Sequence, residues 1–194
     1  MTAASLIAAS LFGYATGSGP AESFLVVDFA EQGGSDFTFA YRYDPADAPT
    51  TGDALDALEA AGGLEVFTTD FGFGRSIDGF AFAGQQQVQP FDGETGRFFE
   101  AFVIGGFQEV TDFGTGTTTL ETVAADAYSP ALAGIDGRFL ADGSVDGWIV
   151  NVSSFNSSGA APTSNVPAMP VPEPASTAVL AVGATALLRR RRAA

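Results

Sequence analysis

Apolar and polar positions alternate most regularly over residues 37–43, where Phe37, Phe39, Tyr41 and Tyr43 fall on one face and Thr38, Ala40 and Arg42 on the other. The pattern predicts a half-buried strand. Similar strand signals lie at 23–29, 64–71, 78–82, 98–104 and 147–152, most bounded by glycine-containing turns, and 132–140 has room for one short strand more. One stretch changes period: over 51–61, Ala54, Leu55, Leu58 and Ala61 fall at helical spacing. Thr51 or Asp53 offers an N-cap there, and Gly62-Gly63 a stop. The order of strand, helix, return strand and late hairpin predicts a mostly β α+β fold, a small antiparallel-rich sheet with one face under a helix. A β-sandwich or jelly roll is the alternative.

Both ends of the chain depart from this pattern. Residues 3–14 are apolar over the length of a signal-peptide core, and the small residues of 15–21 supply a cleavage region, so 1–21 reads as a secretory signal. No Lys or Arg precedes the apolar stretch, which keeps a buried N-terminal helix as the alternative. The β-rich body is expected over 22–155 and a polar, proline-containing linker over 156–170. After it stand Val171, Pro172, Glu173 and Pro174, an apolar segment at 175–188, and Arg189, Arg190, Arg191 and Arg192. As a transmembrane helix the apolar segment would run about 21 Å at about 1.5 Å per residue, short of a hydrocarbon core of about 30 Å, so snorkelling arginines and bilayer thinning must cover the difference. The arginine cluster would stay cytoplasmic and leave the body outside. Pro172 and Pro174 keep the intervening peptide extended, in a form a membrane protease can bind.

Composition then narrows the chemistry. Among 194 residues there is no His and no Cys, which excludes the usual zinc sites, Ser-His and Cys-His nucleophiles, thiol redox centres and disulfides. Eighteen Phe and 46% hydrophobic residues are enough for a core. The formal charge is −15, and the body is more acidic than that: every Asp and Glu but Glu173 lies in 22–172, against Arg42, Arg75, Arg97 and Arg138 alone. Such a body repels nucleic acid and anionic lipid headgroups.

Four motifs bear on function. Gly72-Phe73-Gly74 opens like a dinucleotide loop, yet Ile77 stands where a third glycine is needed and no helix follows, so no cofactor is expected there. Asp142, Ser144 and Asp146 alternate like the oxygen ligands of a calcium loop, but Ser153 occupies the position of the bidentate Glu. An Asp-Gly hairpin turn feeding the strand of Trp148 competes with the metal reading. Paired carboxylates can hydrolyse glycosides without His, and Asp136, Asp142 and Asp146 lie near the single Trp in sequence, an aromatic-plus-acid combination that also holds sugars without cutting them. Phe at alternating strand positions reads as core.

The tail, Val171-Pro172-Glu173-Pro174-Ala175-Ser176 followed by an apolar segment and four Arg, resembles the PEP-CTERM sorting signal of Gram-negative and related exopolysaccharide-making bacteria. The resemblance covers 171–194. It implies recognition by an exosortase-type membrane transpeptidase near Pro172-Glu173-Pro174, transient anchoring in the membrane, removal of the tail, and display at the cell surface or in the extracellular matrix. Over 37–152 the body more distantly resembles the β-grasp-type domain of transcobalamin-like proteins, through the helix at 51–61, Ile77-Asp78-Gly79 and Leu140-Ala141-Asp142-Gly143 before Trp148. The expected protein is an exported, non-enzymatic structural or adhesive component of exopolysaccharide, with no nucleic-acid partner. A small-ligand or calcium-binding module and a carboxylate-only glycan hydrolase are the alternatives.

Overall fold

The structure is a computed structural model that describes residues 11–171 apart from 30, 32, 72, 73 and 164. It is mostly β with one α-helix, as the periodicities predict. The first strand is β1 (Leu11–Gly17), followed by the antiparallel hairpin of β2 (Ala21–Asp28) and β3 (Asp36–Tyr43). The helix α1 (Thr51–Ala60) follows a short 3-10 turn. Next come β4 (Glu65–Asp70), β5 (Arg75–Phe82) and β6 (Gln85–Val88), which form a three-stranded antiparallel sheet in that order. The remaining strands are β7 (Arg97–Ile104), β8 (Phe107–Asp112), β9 (Thr117–Thr122), β10 (Ser129–Pro130), β11 (Arg138–Phe139) and β12 (Val145–Val152).

The central sheet has the order β1-β3-β2-β12-β7-β10 and is mixed: β1 runs parallel to β3, β12 runs parallel to β2, and the other pairs are antiparallel. A smaller sheet, β11-β8-β9, stands beside it. The apolar face of α1 explains the layering. Ala54, Leu55 and Leu58 are buried against Leu25, Val27, Phe39 and Trp148 of the central sheet, and Phe80 of β5 closes the same core. Phe82 packs edge-on to both Phe37 and Phe39, with ring centroids 4.9 and 4.8 Å apart, a favoured aromatic geometry.

The helix starts one residue earlier than the sequence indicates. Thr50 is its N-cap, and a capping box is complete: the Asp53 N–H donates to Thr50 Oγ1 at 3.2 Å, and the Thr50 N–H to Asp53 Oδ2 at 2.8 Å. At the other end Gly62 takes φ +75°, and its N–H reaches the Glu59 carbonyl at 2.8 Å.

Several expectations are corrected. β3 is not half-buried: Thr38 and Ala40, on the face expected to be solvated, are fully buried. The reason is the supposed linker. Residues 165–171 are no free spacer but lie across that outer face of the sheet, with Ala168 buried beside Val26, Val145 and Ile104. Residues 11–17, the second part of the expected signal segment, form the edge strand β1, all of whose residues are exposed or only half-buried; 1–10 lie outside the described residues. The short strand anticipated in 132–140 reduces to a 3-10 turn at Ile135–Gly137 and β11. Residues 113–116 form the tip of the β8–β9 hairpin. Pro172, Glu173, Pro174, the apolar segment 175–188 and Arg189–Arg192 lie outside the described residues. Among the described residues no helix is long and apolar enough to cross a membrane.

Candidate functional site

Of the three oxygen-bearing residues of the calcium-like loop, Asp142 and Ser144 lie in a tight turn, in which Gly143 takes φ +77° and the Ser144 N–H donates to the Ala141 carbonyl at 2.8 Å, and Asp146 lies in β12. The turn is not a hairpin, because β12, which it feeds, pairs with β2 and β7 rather than with β11. The side chains diverge into separate structural bonds. Asp142 Oδ1 accepts the Glu22 N–H at 3.0 Å, and the Ser144 hydroxyl pairs with that of Ser23 at 3.0 Å. Asp146 points into the core. Its Oδ1 accepts Nη2 and Nε of Arg138 at 2.8 and 3.1 Å, and its Oδ2 accepts the Thr51 hydroxyl. Among the described residues no three acidic side chains come together as a cation site.

Arg138 is 2% exposed, and its other N–H groups reach the carbonyls of Phe107, Phe139 and Ile104. The pair therefore ties β12 to α1, β8 and β11. Burial pushes the Asp146 carboxyl above its usual range, with Arg138 and then the Thr51 hydroxyl pulling against it. Trp148, at 1% exposure, packs on Phe80 in the same core, so the expected sugar-facing surface of Trp148 with Asp146 does not exist.

The exposed combination of aromatic and acid lies elsewhere. A groove of about 290 Å³ opens between the β8–β9 hairpin and residues 132–137, lined by Glu109, Thr111, Phe113, Leu132 and Asp136. Phe113 sits at the hairpin tip and is 94% exposed, and Leu132 is also exposed. Asp136 is fixed by Arg75, whose Nη2 and Nε donate to its Oδ1 at 2.7 and 3.0 Å and whose backbone N–H donates to its Oδ2 at 3.0 Å. Arg75 also reaches Asp56 on α1 at 2.7 Å. These bonds hold the Asp136 carboxyl below the usual carboxylate range and anchor the groove floor to the helix. An apolar ring beside oriented acceptors is a surface on which a hydroxyl-rich ligand can stack and donate hydrogen bonds. A larger, shallower depression of about 470 Å³ runs between the end of α1 and the β5–β6 turn, past Glu59, Leu64, Phe82 and Gln86.

A carboxyl pair that the sequence reading did not single out lies on the outer face of the hairpin. Asp28 and Asp36 stand directly opposite each other. Burial first, then the hydrogen bond and the charge of Asp28, push the Asp36 carboxyl up to about 7. Pairing 28 with 36 follows from hairpin register, which local pattern does not disclose.

The segment that leads to Val171 is held at several points. Thr163 and Val152 exchange two bonds, at 3.0 and 2.8 Å. The Asn151 amide brackets Asn165, accepting its N–H at 3.0 Å and donating to its carbonyl at 2.9 Å. Pro167 lies on Gly147, where an added Cβ would stand 2.8 Å from Pro167 Cγ. The Tyr128 hydroxyl donates to the Ala168 carbonyl at 3.1 Å, and the Val171 N–H to Thr38 Oγ1 at 3.0 Å.

Compared with protein-family models, with curated proteins and with solved structures, the chain matches none significantly.

Proposed function

We propose that the protein is an exported surface or matrix component, sorted through its C-terminal tail by an exosortase-type membrane transpeptidase and serving a structural or adhesive role in exopolysaccharide. The observation that carries this reading is the order of the tail: Val171-Pro172-Glu173-Pro174, an apolar segment at 175–188, then Arg189 to Arg192. A proline-framed extended peptide, a short lipid-compatible helix and a translocation stop form a coherent device only in that order. The strand order β3-β2-β12-β7, with a parallel central pair and a helix after the first hairpin, supports the β-grasp reading of the body.

The Phe113 groove is where we place contact with polysaccharide. Glu109 and Asp136 line it within a strongly acidic body, so charge favours neutral or amino sugars over uronate chains. Replacing Pro172, Glu173 and Pro174 by Ala and following the C-terminus by mass spectrometry tests the sorting reading. The variant is expected to keep its tail and remain in the membrane fraction, while the native chain is cut and released to the surface. Identical processing and location of the two chains would overturn the reading.

A further inference from the structure

The sorting motif begins on the folded domain. Residues 165–171 cross β12, β2 and β3 in turn, and the last bond of this strap is made by Val171 itself, the first residue of the motif. The groups that hold it are buried: Asn151 is 1% exposed, and Thr38 is fully buried. A protease that cuts an extended peptide grips backbone N–H and carbonyl groups on either side of the scissile bond, as in strand addition. Here the N–H of Val171, the carbonyl of Ala168 and both backbone groups of Asn165 are already taken by the domain. Slack does not solve the conflict. From Val171 to the start of the apolar segment at Ala175, four fully extended residues reach at most about 14 Å.

We propose that the strap is a latch on processing: the transpeptidase cuts only chains in which residues 165–171 have lifted from the sheet. This inference rests on the sorting reading and adds its regulation. The opening is a local one, because the strap is held by a few hydrogen bonds and two buried side chains, Pro167 and Ala168, while the helix-covered core lies on the opposite face. Lifting it uncovers Val26 and Val145 and breaks the bonds of the Asn151 side chain to Thr163 and Asn165, so the closed form predominates and the rate of cutting follows the small open population.

Two substitutions loosen the latch without touching the motif. Thr38→Val removes the acceptor of the Val171 N–H at nearly constant volume. Gly147→Ala drives a methyl group against Pro167. In the full-length chain in an exporting host, each is expected to raise the first-order rate of tail removal about fivefold, the effect of losing one ordinary hydrogen bond on an opening equilibrium. Amide exchange at Asn165 and Val171 of the folded body should quicken in parallel, while cooperative unfolding is retained. Unchanged or slower cutting in variants whose strap amides do exchange faster would overturn the latch. A native chain whose cutting ignores replacement of Pro172, Glu173 and Pro174 defeats the sorting reading and the latch with it. Cutting that needs those residues but ignores the strap defeats the latch alone.

Discussion

Arg138 shows how much depends on where a single charge lies. In sequence it is one of four arginines of an acidic body. In the fold it is buried against Asp146, with its N–H groups occupied by a carboxylate and three carbonyls. Removing one partner strands the other charge in the core, so Arg138→Met is expected to cost about 3–5 kcal/mol in denaturant unfolding. Adding Asp146→Leu to that variant should recover part of the loss, because the stranded carboxylate is gone. Asp36 gives the pH counterpart. Its folded-state value of about 7 lies above the ordinary 3.8. The protonated carboxyl thus stabilises the fold fully below about pH 4, and that contribution fades as pH rises through 7. Asp36→Asn keeps a donor for Asp28 and never ionises. It is expected to be about 1–2 kcal/mol more stable than the native protein at pH 8, after discounting for solvent screening at a half-buried site, and close to it at pH 4. Thermal unfolding at the two pH values measures the difference.

Among the elements, those with strong local signals were legible. The helix was readable because its apolar spacing, acidic first turn and glycine stop lie within thirteen residues of one another. Its cap is worth testing directly: Thr50→Ala breaks both halves of the Thr50–Asp53 box and should lower stability by about 1 kcal/mol in thermal or denaturant melts. The strands around Phe39, Phe80, Phe102 and Trp148 were legible from aromatic and β-branched alternation. β9 was not. Thr117 to Thr122 are exposed throughout, so no apolar alternation marks them, and the strand exists because β8 offers it a partner. β1 coincides with the second part of the expected signal segment for a related reason: a short apolar run fits either a signal core or a strand, and here residues 11–17 lie along the open edge of β3.

For the whole molecule, composition and linear order settled a great deal. The lack of His and Cys excluded entire classes of chemistry, and the order of Val171-Pro172-Glu173-Pro174, the apolar run 175–188 and Arg189 to Arg192 is plain along the chain, because both are properties that no folding alters. The mostly β character with one helix was also readable, since period, caps and turns act over a few neighbouring residues. Only the tertiary structure could pair β2 with β12 across about 120 residues, turn the Asp142–Asp146 loop from a cation candidate into scaffold, set Asp28 against Asp36, and place the acids of the Phe113 groove beside an exposed ring. It also turned the stretch before Val171 from spacer into strap. Burial, register and electrostatic environment belong to groups that meet only after the chain has folded, and no local pattern records which distant residues will meet.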